Sequence, residues 1–85
     1  MKNIDSKNFK KVLKIFREVF EDENLLISDN TVAADVEEWD SLNHITLIME
    51  IESQFQIQFN TKEVMGWQNV GEMLASLSTK INARN

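Results

Sequence analysis

Apolar residues recur at helical spacing in three stretches of this chain, and this periodicity limits what the chain can fold into. At about 6–22 the apolar side chains share one arc and the basic ones lie opposite, while residues 70–81 carry a narrow apolar stripe. Between these two stretches, a helix is expected to begin near Ser41, and a short helix is expected to span about 61–66. The periodicity therefore predicts an all-α fold, a small four-helix bundle with a long first loop and a short third helix.

Two of these helices begin with residue pairs that are typical of a capping box. Asn60 precedes Glu63 by three residues, and Asn69 precedes Glu72 by the same spacing. The short helix is expected to end near Gly66.

One segment, residues 54–59, alternates apolar side chains with glutamines and has the period of a strand. Because the chain offers no second good strand, the backbone of this segment would stay unpaired, so we expect a helix end followed by an extended connector. Residues 23–40 show neither period and predict a long ordered loop. The apolar residues expected to anchor this loop are Leu25, Leu26, Ile27, Val32, Val36 and Trp39.

The composition excludes several kinds of chemistry. Eighty-five residues make one domain, spanning 1–85, and the chain has no cysteine and a single histidine, His44. Disulfides and thiolate nucleophiles are excluded, and one imidazole provides neither a metal site nor an acid–base pair, so we expect no enzyme. Any thiol chemistry would need an imported thiol. Since the chain shows no bilayer-spanning apolar run and no secretion signal, we expect a cytoplasmic protein without membrane contact.

The charge of the chain is unevenly distributed. The formal net charge is −5 at pH 7, which argues against nucleic-acid binding. Basic residues crowd the first helix, and no lysine or arginine occurs from residue 18 to residue 61, where acids dominate. This asymmetry would steer the acidic surface towards basic partners. The alternative is a solvated acidic surface that only aids solubility.

The helix that begins at Ser41 has an apolar arc about twice as wide as packing on one side requires. At about 100° per residue, Ser41 and Glu52 lie near the seam that divides this arc in two. The half expected in the core comprises Leu47, Ile48, Ile51 and Phe55, and the half expected to be exposed comprises Leu42, Ile45 and Met49. Exposed apolar residues flanked by acids are typical of a partner-binding surface. The alternative is a central helix with all of these side chains in the core.

Asp40 and Ser41 stand where that helix starts. Either is a good N-cap residue, so capping alone is sufficient to explain the pair. A hydroxyl group at this position, after a long loop, is also exposed, and the free backbone N–H groups and the helix dipole favour an attached phosphate there.

These features together resemble the acyl carrier protein family over nearly the whole chain. Asp40-Ser41-Leu42 is similar to the family's signature at the start of its second helix, and the segments LIMEIESQFQIQF and VMGWQNVGEMLASL resemble the helices that follow. The resemblance implies that Ser41 carries a 4′-phosphopantetheine arm, transferred from coenzyme A by a magnesium-dependent phosphopantetheinyl transferase. It also implies a non-catalytic protein whose arm holds acyl groups as thioesters and delivers them to partner enzymes.

The resemblance also assigns roles to single residues. It implies that the transferase reads Asp40 and Leu42 beside the modified serine. Acyl-loading, condensing or acyl-transferring enzymes with basic patches would meet the second helix of a monomer. The residues expected at that contact are Ile45, Met49, Glu50, Glu52, Glu37 and Glu38.

Three residues depart from the pattern of the family's fatty-acid-synthesis members. Asn43 and Thr46 stand where acids are usual, and His44 stands where a small hydroxyl residue is common. We interpret His44 as a solvent-facing or helix-edge polar residue, and alternatively as one that lines the pocket mouth or touches the arm's phosphate. Together with the basic first helix, these departures favour a polyketide, modified-sugar or other specialised pathway over fatty acid synthesis.

Two other classes of protein fit the same features. An aminoacyl or peptidyl carrier usually has a glycine just before the modified serine, where this chain has Trp39-Asp40. An unmodified acidic adaptor domain would share the bundle and bind a basic partner through Leu42, Ile45 and Met49.

Overall fold

A computed structural model describes residues 4–84 of the chain. Over these residues the chain forms four α-helices and one short 3₁₀ helix, and no strand. The α-helices are α1 (Ser6–Val19), α2 (Ser41–Phe55), α3 (Thr61–Gly66) and α4 (Val70–Arg84), and the 3₁₀ helix spans Ala33–Asp35. The predicted all-α fold, with a long first loop and a short third helix, is confirmed.

The helix starts follow from local side chains. Asp5 caps α1 by accepting a hydrogen bond from the Asn8 backbone N–H at 2.8 Å. At α3, Asn60 and Glu63 form the predicted capping box, each side chain accepting from the other residue's backbone N–H.

The start of α4 forms only half of the box that we expected. Asn69 accepts from the Glu72 backbone N–H at 2.9 Å, but the Glu72 carboxylate accepts from the Gln68 backbone N–H instead of that of Asn69.

The first helix is shorter than the periodicity predicts. It ends at Val19, because Glu21 adopts the left-handed conformation with φ 52° and the Asp22 backbone N–H turns back to the Arg17 carbonyl at 3.0 Å. Phe20 lies past the helix end and is still buried. The apolar pattern that predicts α1 therefore continues past the last residue of the helix.

The core is made by one face each of α1, α2 and α4. Its fully buried side chains are Val12, Phe16, Leu47, Ile51, Val70, Leu74 and Leu77. Lys11 of α1 lies over the Phe55 ring of α2 at 4.7 Å and donates to the Gln54 carbonyl at 3.0 Å. The aliphatic and aromatic packing between these helices fixes the orientation of α2, whose first residue is Ser41.

The long first loop is ordered by most of the apolar residues expected to anchor it. Ile27 and Val36 are buried, and the side chains of Leu25, Val32 and Trp39 are partly buried. The expectation for Leu26 was wrong, because its side chain is 75% exposed. A loop residue in an apolar triplet can point either way, and periodicity does not decide which.

The segment at residues 54–59 is a helix end and an extended connector, as predicted. α2 ends at Phe55, and Gln56 closes it in the left-handed conformation with φ 54°. The backbone N–H groups of Gln56 and Ile57 both return to the Glu52 carbonyl, the second at 3.1 Å.

Backbone hydrogen bonds join the first loop to the start of α4. The Val70 N–H donates to the Thr31 carbonyl at 2.8 Å, and the Gly71 N–H donates to the Asp29 carbonyl at 2.9 Å. A Cβ atom at Gly71 would lie 2.8 Å from that Asp29 oxygen, so the close approach requires glycine.

None of the helices among residues 4–84 has the length and hydropathy to cross a membrane.

Candidate functional site

Ser41 is the first residue of α2, and its side chain is exposed. Asp40 precedes it in an extended conformation and accepts a hydrogen bond from the Asn43 backbone N–H at 2.8 Å. Within residues 4–84, the backbone N–H groups of Ser41 and Leu42 donate to no acceptor. The predicted N-cap role of Asp40 is confirmed, and the cap leaves two helix-start N–H groups beside the serine hydroxyl.

The turn before Ser41 is held by a residue that departs from the family pattern. Glu38 adopts φ 68°, and its carbonyl accepts from the Asp40 backbone N–H at 2.9 Å and from the Asn43 side-chain amide at 2.7 Å. A left-handed conformation costs a residue other than glycine about 1 kcal/mol, and these hydrogen bonds offset the cost. Asn43 therefore fixes the approach of the loop to the serine.

The two apolar faces of α2 are separated as predicted. Leu47 and Ile51 are fully buried, Phe55 is nearly so and Ile48 is only partly buried. On the other face, Leu42, Ile45 and Met49 are 71%, 55% and 62% exposed. The alternative of a central helix with all of these residues in the core is excluded. An exposed apolar strip next to the serine is available to a partner, and its use by one stays a prediction.

The acids expected to surround that strip do not share one environment. Glu37, Glu38 and Glu50 are exposed. Glu52 is half-buried, and its carboxylate accepts a hydrogen bond from the Phe59 backbone N–H at 2.9 Å. Glu52 thus ties α2 to the connector that follows it, a role that sequence analysis missed because the pair is formed only when the connector folds back. Its expected contact with partners stays a prediction.

Thr46 is the second departure with a local explanation. Its hydroxyl donates to the Leu42 carbonyl one turn earlier, at 3.0 Å. This hydrogen bond satisfies the side chain within α2.

His44 is a partly buried polar residue of α2, which fits the helix-edge form of our first interpretation and not the solvent-facing one. Its ring is half-buried, and its Nδ1 accepts a hydrogen bond from the Trp39 indole N–H at 3.0 Å. Burial lowers the pKa of His44 below its ordinary value of about 6.5, so the imidazole is neutral at pH 7 and carries its proton on Nε2. Trp39 is itself held edge-on against Phe16, with ring centroids 5.6 Å apart.

Trp39 and His44 form one wall of a pocket of about 100 Å³. The 3₁₀ helix and the residues before it form another wall, and the segment that leads into α4 forms the third. The lining residues are Thr31, Val32, Ala33, Trp39, His44, Trp67, Gln68, Asn69, Val70 and Met73. A pocket role for His44 was predicted only as an alternative. The walls themselves were not predictable from local spacing, because they come from three separated segments.

A family model described as a phosphopantetheine attachment site matches residues 10–77, which is most of the chain. The matched residues include the exposed serine, the capped start of α2 and every wall of the pocket. The chain therefore belongs to the phosphopantetheine attachment family, and its cofactor is a covalently bound phosphopantetheine.

Similarity to a solved structure shows which type of phosphopantetheine-bearing protein the chain is. The chain is similar to a holo acyl carrier protein from Geobacter metallireducens, with 32% identity over 88% of this chain and 86% of that one and a TM-score of 0.84. It is a carrier protein of the acyl carrier type, so the resemblance drawn from Asp40-Ser41-Leu42 is confirmed. None of the curated protein sequences compared with the chain matches it.

Proposed function

We propose that Ser41 is the residue that carries the phosphopantetheine arm. The matched region contains four serines, at positions 28, 41, 53 and 76. Ser76 accepts from the Trp67 indole N–H at 2.9 Å, and Ser28 lies 3.4 Å from the Thr31 hydroxyl. Ser53 is exposed but lies inside α2, where the backbone N–H groups are already used by the helix. Ser41 combines an exposed hydroxyl with free helix-start N–H groups.

This combination is the observation that carries the proposal. A phosphodiester on the Ser41 oxygen would lie at the positive end of the α2 dipole, within reach of the unpaired N–H groups of Ser41 and Leu42. The residues present therefore fit the group. In the transfer, the serine oxygen forms a bond to the pantetheine-side phosphorus of coenzyme A. The phosphoanhydride bond breaks, the adenosine bisphosphate leaves, and the hydroxyl proton passes to a base of the transferase.

The chain then acts as a carrier with no catalytic step of its own. The arm supplies a terminal thiol that holds an acyl group as a thioester, and the protein presents this group to enzymes of a biosynthetic pathway at high effective concentration. Asp40 and Leu42 flank the modified serine and are the residues that the transferase meets first. The partner surface consists of Ile45, Met49, Glu50, Glu52, Glu37 and Glu38, and it fits enzymes with basic patches.

The pathway is a specialised one, such as polyketide or modified-sugar assembly, and fatty acid synthesis is the second candidate. The support comes from α2. Asn43 and Thr46 replace acids and use their side chains within the protein, and His44 forms a pocket wall. Partner enzymes that bind acids at the positions of Asn43 and Thr46 would therefore meet fewer negative charges on this chain.

The test is modification of the purified protein by a broad-specificity phosphopantetheinyl transferase with coenzyme A and Mg²⁺, followed by intact mass spectrometry. We expect the mass of one arm to be added to the wild-type chain and to Ser53→Ala, and none to Ser41→Ala. Ser53→Ala is the matched control because it removes an exposed hydroxyl from the same helix. No mass gain in the wild type, with a control carrier modified in parallel, would disprove the proposal.

A further inference from the structure

The pocket beside Ser41 is small. Its volume of about 100 Å³ is below the roughly 150 Å³ of an engineered protein cavity that holds benzene, so it has room for about four non-hydrogen atoms. His44 lies three residues after Ser41 on α2 and therefore on the same side of the helix, next to the point where the arm begins. A group carried by an arm on Ser41 would have to fold back along one helical turn to reach this pocket.

The walls of the pocket combine apolar side chains with hydrogen-bond donors. Val32, Val70 and Met73 supply the apolar surface. On the polar side, the Nδ1 atom of His44 already accepts from Trp39, which leaves Nε2–H as a donor without a partner among residues 4–84. Asn69 is similar, because its carbonyl oxygen is used to cap Glu72 and its amide N–H groups stay available.

In His44 and Asn69 the side-chain acceptor is thus already used within the protein, whereas the side-chain donor is not. No aspartate or glutamate lines the pocket. A cargo that offers an oxygen acceptor would satisfy these donors, whereas a purely hydrocarbon cargo would leave them unpaired and desolvated, which costs free energy.

We infer that the pocket receives a short acyl group that bears a hydroxyl or carbonyl oxygen, and that the Nε2–H of His44 donates a hydrogen bond to that oxygen. This inference rests on the proposed function, since the cargo arrives on the arm of Ser41. It adds the chemical class of the cargo and a residue that selects it. Trp39 acts as a positioning residue, because its indole N–H holds the imidazole in the tautomer that donates from Nε2.

The experiment compares matched cargoes on the same protein. The transferase loads the chain from coenzyme A itself, butyryl-coenzyme A, 3-hydroxybutyryl-coenzyme A or octanoyl-coenzyme A, and intact mass verifies each product. The readouts are the ¹⁵N shift of His44 Nε2, the indole N–H shift of Trp39, and nuclear Overhauser effects between the cargo methyl group and the methyl groups of Val70 and Met73.

We expect the His44 Nε2 shift to move on loading with 3-hydroxybutyryl and to stay near the value of the thiol form with butyryl. The Overhauser effects to Val70 and Met73 should be strong for 3-hydroxybutyryl and absent for octanoyl.

Two variants separate the donor from the structural role of the ring. His44→Asn retains an acceptor near the position of Nδ1 for Trp39 and removes the donor at Nε2. The Overhauser effects between 3-hydroxybutyryl and the methyl groups of Val70 and Met73 should therefore be lost. His44→Gln places an amide N–H near the position of Nε2, and the Overhauser effects should be retained in part.

Three results would overturn the inference. An equal His44 shift in all four forms would show that the ring meets the phosphate of the arm and not the cargo. Overhauser effects that are strongest for octanoyl would show that the pocket opens for long chains, and their absence for every cargo would show that the pocket stays empty. These failures are distinct from a failure of the proposed function, in which no arm would be attached at all and the inference would fall with it.

Discussion

Gly71 shows how a single residue positions the pocket wall next to the candidate site. Its backbone N–H donates to the Asp29 carbonyl at 2.9 Å, and a Cβ atom there would lie 2.8 Å from the same oxygen. We expect Gly71→Ala to lower the free energy of unfolding by about 1–3 kcal/mol, because the first loop must move away from α4. The urea midpoint of unfolding measures the loss.

Gly66 provides the matched control for that prediction. A Cβ atom at Gly66, the last residue of α3, would meet nothing within 4 Å. Gly66→Ala should therefore leave the urea midpoint unchanged or raise it slightly. Equal losses in both variants would contradict the close approach at Gly71.

The residue scale is also where the sequence is least informative. The capping roles of Asp40 and Asn60 were predictable, because each depends on neighbours three residues away in the chain. The Trp39 bond to His44 and the Glu52 bond to Phe59 were not, because a side chain's partner across a turn depends on how the whole loop packs. Local spacing therefore predicted the caps of α2 and α3 and half of the capping box of α4, and it missed the pocket wall.

At the scale of the element, the left-handed residue that ends α2 carries a conformational cost. Gln56 has φ 54° and is exposed, so glycine can replace it without loss of packing. We expect Gln56→Gly to raise the free energy of unfolding by about 1 kcal/mol, since glycine is not penalised in this conformation. Thermal unfolding followed by circular dichroism measures the change.

Ser53 is the control within the same helix. It is exposed and lies in the last turns of α2 with helical backbone, so Ser53→Gly should lower the free energy of unfolding by about 0.5 kcal/mol. If both glycine variants are destabilised alike, Gln56 does not adopt the conformation described.

Helix identity was predictable at this scale, and helix length was less so. The two apolar faces of α2 follow directly from its period, and burial separates Ile51 from Met49 as that period requires. The end of α1 was misplaced by three residues, because Phe20 continues the apolar arc after the backbone has left the helix. The end of α1 depends on the left-handed conformation of Glu21, which the local sequence does not predict.

Across the whole molecule, the basic charge of α1 and the exposed apolar surface of α2 lie on different helices. Lys11 and Arg17 of α1 bond to backbone carbonyls of the protein, at 3.0 and 2.9 Å, so part of the basic charge serves the fold. The surface of α2 combines the exposed Ile45 and Met49 with nearby acids. A basic partner approaching this surface would be oriented by charge and held by apolar contact.

The contribution of that apolar contact is testable with the transferase as the partner. Met49→Gln removes apolar surface at a largely exposed position without changing the net charge, so kcat/KM for modification should fall by about tenfold, the loss of roughly 1.4 kcal/mol of contact. The melting temperature should stay close to that of the wild type.

Leu26→Gln is the matched control, because it removes an exposed apolar side chain outside the α2 surface. Leu26 is also largely exposed, but it belongs to the first loop and not to α2. Its substitution should leave kcat/KM unchanged. A similar loss in both variants would show that exposed apolar residues matter wherever they lie and would contradict a partner surface on α2.

The central claim is that the arm is attached to Ser41, and fragmentation of one peptide tests it most directly. Because no lysine or arginine occurs from residue 18 to residue 61, trypsin releases residues 18–62 as one peptide that contains Ser28, Ser41 and Ser53. Electron-transfer fragmentation of this peptide from the modified protein keeps the phosphodiester bond and locates the added mass. The arm is expected on Ser41, between fragments that end at Asp40 and at Ser41. Its mass on Ser28, on Ser53 or on a threonine would contradict the account.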